Sequence, residues 1–265
     1  MTLNFSKYQG TGNDFILIDN RQLTFPSSNI SVIEKLCHRK FGVGADGLML
    51  LQNKAGYDFE MVYFNADGRQ SSMCGNGGRC IAAFAASLDI INQKGFFWAI
   101  DGEHLVEIKK RNEIEMEISL KMTDVVKIKD FNSCFVLDTG SPHYIMFTEN
   151  IENINVTKMG KQIRNSESFL KDGINVNFVE VNENVLKVRT YERGVEDETL
   201  SCGTGVTAAV LAAMYSGRIT NTASVDVKVP GGNLKVYFSN SGSGNFSDIW
   251  LEGPATFVFS GKIDI

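Results

Sequence analysis

Met73-Cys-Gly-Asn-Gly-Gly-Arg-Cys-Ile-Ala-Ala-Phe-Ala-Ala and Ser201-Cys-Gly-Thr-Gly-Val-Thr-Ala-Ala-Val-Leu-Ala-Ala-Met are the two stretches that decide the fold. Each opens on Cys-Gly-x-Gly and continues as an alanine-rich apolar run. Their cysteines, Cys74 and Cys202, lie 128 residues apart. The same offset of 128 separates Thr11-Gly12 from Thr139-Gly140, and Tyr63 from Tyr191. Three landmarks at one spacing, close to half of a 265-residue chain, indicate two copies of one unit. The period is too long for a solenoid, so two pseudo-symmetric domains are expected.

Outward from these stretches the chain reads as strand-rich. Residues 15–19, 57–64 and 113–120 have strand composition, some with period-2 alternation. Residues 96–100 and 104–109, split by Asp101-Gly102, read as a hairpin. In the second half, 133–137, 144–147, 176–181, 186–191, 225–229, 234–238 and 248–251 read likewise. Residues 30–40 have an amphipathic helical pattern behind a Ser28/Asn29 cap. The runs at 81–91 and 206–215 are apolar nearly all round, and a helix without a polar face must be buried on every side. The expected fold class is α/β, of the α+β type: two pseudo-symmetric domains, each a curved, mostly antiparallel sheet around a central buried helix. The expected division is 1–124 with a C-terminal strand at 255–265, holding Cys74, and 125–254, holding Cys202.

Composition narrows the function classes. A net charge of −5, with no basic run, argues against a nucleic-acid surface. The apolar stretches are too short to span a bilayer, and the first residues lack a secretory signal pattern, so a cytoplasmic location is expected. The five cysteines are an odd number without C-x-x-C, which argues against a disulfide scaffold and a structural zinc site. His38, His104 and His143 show no metal-ligand spacing.

Each repeated cysteine precedes Gly-x-Gly at the start of a central helix. There the helix dipole and the N–H groups favour a thiolate, below the reference pKa of about 8.5. The glycines allow close backbone approach, and the same N–H groups suit a carboxylate. Two such units face to face would put a thiol on either side of the carbon bearing that carboxylate. One thiolate could remove an α-proton while the other thiol delivers a proton to the opposite face. Cys37, Cys80 and Cys134 read instead as small buried hydrophobes.

These residues, with Gln9-Gly-Thr-Gly-Asn-Asp-Phe, Phe41-Gly-Val-Gly-Ala-Asp-Gly, Phe64-Asn-Ala-Asp-Gly, Gly140-Ser-Pro-His, Ile174-Asn-Val and Tyr191-Glu-Arg-Gly, form a set that resembles diaminopimelate epimerase over essentially the whole chain. The resemblance implies interconversion of LL- and meso-diaminopimelate without pyridoxal phosphate or metal, in lysine and cell-wall precursor synthesis. It implies Cys74 and Cys202 as the acid–base pair. It gives the α-carboxylate to the N–H groups of Gly75, Asn76, Gly203 and Thr204, and the distal carboxylate to Asn65, Asn175 and Arg193, whose planar fork suits a carboxylate. It further implies that Asn13 completes the pocket, that His143 and Glu192 tune the cysteines, that Glu192 also faces an ammonium group, and that the enzyme is a homodimer with a small-molecule amino-acid substrate. Three positions depart from the family pattern: Gly47 where many members have Gln, Ser141 where many have Asn, and Phe259 where some have a Tyr linked to dimerisation.

The rivals are a proline or hydroxyproline racemase, an isomerase of the phenazine-biosynthesis type, and a non-catalytic binding protein. The racemase resemblance would call for His after Met-Cys-Gly, where Asn76 stands, and a cyclic imino acid has no distal carboxylate. The phenazine-type isomerases lack the cysteine pair. A binding protein has no need of both cysteines and their glycines.

Overall fold

Successive strand residues face opposite ways, so a closed sheet has one set of side chains for its interior and one for its outside. The computed structural model describes residues 1–71, 73–242 and 244–265. The chain forms two compact units, 1–120 with 253–265, and 121–252. These joints stand a few residues ahead of the 124/125 and 254/255 expected from sequence. The second falls inside one unbroken strand, β16 (Phe246–Asp264), immediately before Gly253-Pro254.

The first unit contains β1 (Thr2–Gly10), β2 (Asn13–Asp19), β3 (Gly47–Gln52), β4 (Phe59–Asn65), β5 (Lys94–Ala99), β6 (Gly102–Arg111) and β7 (Glu115–Lys121). They pair in chain order. Residues 253–264 of β16 then pair with both β7 and β1, so the sheet closes on itself and leaves no edge strand. Inside runs α2 (Gly75–Ser87), buried from Gly75 to Ala86. Its glycines and alanines bring it close to the wall: Gly77 meets Met49 of β3, Gly78 meets Leu120 of β7, and Phe84 packs edge-on against Tyr8 of β1. Two pairs are parallel, β2 with β3 and β4 with β5, and each is bridged by a helix as a parallel connection requires.

Outside this barrel lies α1 (Ile30–Cys37), capped by the Asn29 side chain on the Val32 N–H. Its Ile33, Leu36 and Cys37 join Ile16, Ile18, Leu48 and Leu50 in a second core. β2 and β3 are thus covered on both faces. That is why they read as continuous apolar runs and why β3 carries no period-2 signal. The helix expected over 30–40 stops at Cys37. The N–H groups of Lys40 and Phe41 donate to His38 Nδ1, and the chain turns so sharply that a Cβ on Gly42 would sit 1.9 Å from the Lys35 carbonyl oxygen.

The second unit repeats the plan. Its strands are β8 (Ile128–Phe131), β9 (Cys134–Asp138), β10 (Pro142–Phe147), β11 (Asn175–Asn182), β12 (Val185–Glu192), β13 (Asp197–Thr199), β14 (Ser224–Val229), β15 (Gly232–Asn240) and residues 246–252 of β16. The order is β8-β9-β10-β11-β12-β14-β15-β16, with β13 added beside β12. A bridge from Val125 to Phe246 joins its ends. The buried helix is α4 (Gly203–Tyr215), and the outer one is α3 (Val156–Arg164), whose Val156 packs with Val176, Phe178 and Tyr191. Both central helices begin at the glycines, ahead of the 81 and 206 expected from their apolar runs. Interior glycine disfavours a helix by about 1 kcal/mol in isolation; here close packing against the wall outweighs that cost. α3 is polar and short, and no element was expected there.

Candidate active site

In the first unit Cys74 is the N-cap of α2, in extended conformation (φ −103°, ψ 134°), and is partly exposed. Its carbonyl accepts the first helical bond, from Gly78 N–H at 2.7 Å. The N–H groups of Gly75 and Gly77 have no partner inside the helix, as in any first turn. The Asn76 side chain is held on both sides. Its Nδ2 donates to Asn13 Oδ1 at 2.6 Å, and its Oδ1 accepts from Thr11 Oγ1 at 3.2 Å and Arg79 Nη2 at 3.0 Å. Asn13 in turn donates to Asp46 at 3.1 Å. Asp46 and Asp14 share Arg39, and Lys7, buried, pairs with Asp14 at 2.8 Å. Burial alone would push the Asp14 carboxyl up; hydrogen bonds from Arg39 and Lys7 outweigh it and hold it down at about 2. Asn65 ends β4 opposite Gly47, at the rim where Phe15 pairs with Gly47, and is exposed. Gly47 is glycine for a local reason: a Cβ there would lie 2.5 Å from the Tyr63 ring and 2.6 Å from the Phe64 carbonyl oxygen.

In the second unit Cys202 caps α4 in the same way (φ −126°, ψ 109°) and is 8% exposed. Its Sγ stands 3.5 Å from Thr204 Oγ1, which stands 2.9 Å from His143 Nε2. His143 Nδ1 is 3.0 Å from Asn177 Nδ2. Asn177 Nδ2 also donates to the Tyr144 carbonyl at 3.2 Å, while its Oδ1 accepts from Thr190 Oγ1 at 2.9 Å. A carbonyl can only accept, so Nδ2 is the donor and His143 Nδ1 the acceptor. The ring proton therefore sits on Nε2 and is given to Thr204 Oγ1, whose own hydroxyl proton is left for Cys202 Sγ. Burial, with Arg193 adding to it, pushes His143 down to about 3, so the ring is neutral in this chain of donors.

Asn175 Nδ2 donates to Ser141 Oγ at 2.7 Å, and its Oδ1 accepts from Arg193 N–H at 2.9 Å. Ser141 thus supports Asn175. Arg193 Nη1 donates to the Asp172 carbonyl at 2.9 Å, and Glu192 accepts from Thr199 Oγ1 at 3.0 Å. Cys74, Gly75, Asn76 and Asn13 are therefore gathered in one unit, with Asn65 on the same barrel rim. Cys202, Gly203, Thr204 and His143 are gathered in the other, where Asn175 and Arg193 touch each other. Asn177, Thr190 and Arg79 were not expected. Asn177, between Val176 and Phe178, is a polar residue inside an apolar run, and that was the available signal; Thr190 beside Arg189 and Arg79 after Gly77-Gly78 carry none.

His143 makes stability depend on pH. The unfolded chain takes up a proton near pH 6.5 that the folded chain refuses until about pH 3, so stability is full above 6.5 and lost as pH falls. Between about pH 6.5 and 5, carboxylates bind few protons. Over that range urea midpoints should fall with pH, and less steeply for His143→Gln; parallel slopes would refute this.

Two closed sheets, each around a helix that opens on a cysteine, define a fold shared with epimerases, racemases and PhzF proteins. The chain matches a Bacillus anthracis phenazine biosynthesis protein of the PhzF family (TM-score 0.79, 17% identity, all of both chains). It also matches a hydroxyproline epimerase from Agrobacterium vitis (TM-score 0.70, 12% identity, 99% of this chain and 91% of that one). Within that fold class this chain belongs to the diaminopimelate epimerase family, whose profile matches residues 5–128 and 135–258. Relatives of that name include those of Flavobacterium psychrophilum, 50% identical over 258 residues (97% of this chain, 98% of the relative), and Chlorobaculum tepidum, 40% identical over 262 residues (97% and 99%). The chain is accordingly an isomerase of the epimerase type.

Proposed function

We propose that this chain interconverts LL- and meso-diaminopimelate by two-base proton transfer, with Cys74 and Cys202 acting on opposite faces of the α-carbon. The observation that carries this reading is the pair of cysteines at equivalent N-caps of two buried helices. A thiolate takes the α-proton, and the C–H electron pair moves into the adjacent carboxylate, which becomes an enediolate. The N–H groups of Gly75, Asn76, Gly203 and Thr204 bind that group and hold it more tightly as its charge grows; one such donor is worth roughly 3–4 kcal/mol at a developing oxyanion. The second thiol then gives its proton to the opposite face. Each turnover leaves the two sulfurs with exchanged protonation states, ready for the reverse direction.

The remaining polar groups suit the far end of the substrate. Arg193, with Asn175 and Asn65, would take the distal carboxylate, Asn13 would close the pocket, and Glu192 would face an ammonium group. Under this reading His143 tunes Cys202 through Thr204. The same reading has the enzyme acting as a homodimer in the cytoplasm, in lysine and cell-wall precursor synthesis. The test is incubation with LL-diaminopimelate in deuterated water, with proline in parallel. Deuterium should enter the α-position of diaminopimelate alone; exchange into proline without exchange into diaminopimelate would overturn the assignment.

A further inference from the structure

Residues Arg193 to Glu196 join β12 to β13, and Glu196 is left-handed (φ 60°). That conformation is unfavourable for a residue with a Cβ, so its surroundings must hold it there. At Glu196 the side chain does so. Oε1 accepts from the Gly194 N–H at 3.1 Å and from Arg164 Nε at 3.1 Å, and Oε2 accepts from the Tyr191 hydroxyl at 3.1 Å. The Glu196 N–H donates to the Glu192 carbonyl at 2.8 Å, which closes the loop around Arg193. Both side-chain anchors are fixed points: Tyr191 is fully buried in the core of the second unit, and Arg164 is the last residue of α3. The other left-handed glutamate of this unit is Glu183 (φ 55°), in the turn between β11 and β12. Among the described residues no hydrogen bond or ion pair holds the Glu183 side chain.

We propose that Glu196 is a positioning residue, which straps the Arg193 loop to Tyr191 and α3 so that the Arg193 guanidinium stands ready for the distal carboxylate. This rests on the diaminopimelate reading above, in which Arg193 takes that carboxylate. Arg193 Nη1 donates to the Asp172 carbonyl, a neutral acceptor, and among the described residues Arg193 makes no ion pair. Its charge is left for an anion, and it adds to burial in acting on His143, the partner of Thr204. Arg164 lies beside it: a Cβ on Gly173 would stand 2.8 Å from Arg193 Cδ and 3.1 Å from Arg164 Cζ. Two neighbouring guanidiniums repel. Glu196 pairs with Arg164 at 3.1 Å, which leaves Arg193 as the one without a carboxylate. The Gly194 N–H, opposed by partial burial and helped by Arg164 and Tyr191, holds the Glu196 carboxyl below its usual range, so it is charged near neutral pH. The Glu196 side chain is 43% exposed, and an exposed ion pair alone fixes little. The strap is made by two neutral donors and one cation meeting on a single carboxylate. Glu196 acts through Arg193, so its loss should weaken binding and spare the proton transfers.

The test compares KM and kcat for diaminopimelate among variants. Glu196→Gly removes the strap and relieves the left-handed backbone, so the hairpin should still fold. Its KM should rise about tenfold with kcat within about twofold of the unmodified enzyme, the mark of binding lost equally from ground and transition states. Glu196→Gln keeps an acceptor for Gly194 and Tyr191 and should recover most of that loss. Glu183→Gly relieves the same backbone strain with no strap to lose, and its KM should not move. A purely electrostatic role predicts the opposite sign, because removing a negative charge near Arg193 favours an anion. An unchanged or lower KM in Glu196→Gly, or a fall in kcat alone, would overturn the proposal. Arg193→Gln separates the two readings. A raised KM there with none in Glu196→Gly sinks the strap alone; an unchanged KM in Arg193→Gln sinks the distal-carboxylate reading and the strap with it. A second readout needs no substrate: trypsin should cut after Arg193 about tenfold faster in Glu196→Gly than in the unmodified enzyme or Glu183→Gly, because the open loop is more populated. Equal rates would mean that Glu196 does not hold the loop. If the glycine variant does not fold, Glu196→Gln still decides, with a KM rise of roughly threefold from the lost ion pair.

Discussion

Replacing either Cys74 or Cys202 with alanine should lower kcat for epimerisation by roughly 10³-fold or more, within or beyond the range expected for one general acid–base group. The loss is large because inversion needs both faces. With one sulfur gone, a proton can still be removed and returned on the remaining side, which exchanges the hydrogen but does not invert the carbon. Each single variant should therefore keep slow deuterium exchange into one stereoisomer, with retention, while product of inverted configuration disappears. The fold should survive. Neither cysteine side chain caps its helix, and Cys74 is partly exposed, so thermal unfolding should shift by no more than about 1 kcal/mol in either variant. Chiral chromatography of the products with each purified epimer as substrate checks both halves. Near-normal inversion by either variant would end the two-base reading.

Cys74 and Cys202 stand out in the sequence because they sit in a motif that occurs twice. Repetition is a property of the string, and 128 residues separate not only the cysteines but also the helices α2 and α4, the outer-helix crossovers and the Thr11 and Thr139 turns. The buried character of the two helices was equally legible, since an element without a polar face has one physical solution. β3 was not legible as a strand. Leu48-Met-Leu-Leu is covered by α2 on one side and α1 on the other, and burial on both faces erases the period that marks a strand. The His143–Asn177–Thr190 chain was hidden for a different reason. Its members come from β10, β11 and β12, whose register brings them together across the sheet while spreading them over nearly fifty residues of sequence. Arg79 stood in the quoted motif throughout. What the string lacked was its surroundings: its acceptors include the Gly75 carbonyl and Asn76 Oδ1, in the first turn after Cys74.

The second large effect is expected at a glycine, and its pseudo-symmetric mate supplies the control. Gly77 and Gly205 occupy the same place in the two motifs, and at both an added Cβ would come within 2.3 Å of the barrel wall. The atoms met are different. At Gly77 it is Met49 Cε, the end of a flexible unbranched chain that can swing aside. At Gly205 it is Asn177 Oδ1, with His143 Cε1 next at 3.3 Å. Asn177 cannot yield cheaply, because its Oδ1 accepts from Thr190 at 2.9 Å and its Nδ2 bonds His143 at 3.0 Å and the Tyr144 carbonyl at 3.2 Å. Moving it adds overpacking strain of about 1–3 kcal/mol to the loss of buried hydrogen bonds, at about 1–3 kcal/mol for a group left unsatisfied. Gly205→Ala should therefore destabilise by roughly 2–6 kcal/mol, lowering the unfolding temperature by about 4 °C or more in a chain of this size. It should also lower kcat, because His143 and Thr204 move with Asn177 and Cys202 loses its donor. Gly77→Ala should change stability by less than about 1 kcal/mol, since alanine's helix propensity offsets the small repacking of Met49. Thermal unfolding and turnover of the two variants side by side decide the matter. Equal losses, or a larger loss at Gly77, would mean that the Asn177 network is not the rigid support of Cys202 that its hydrogen bonds describe.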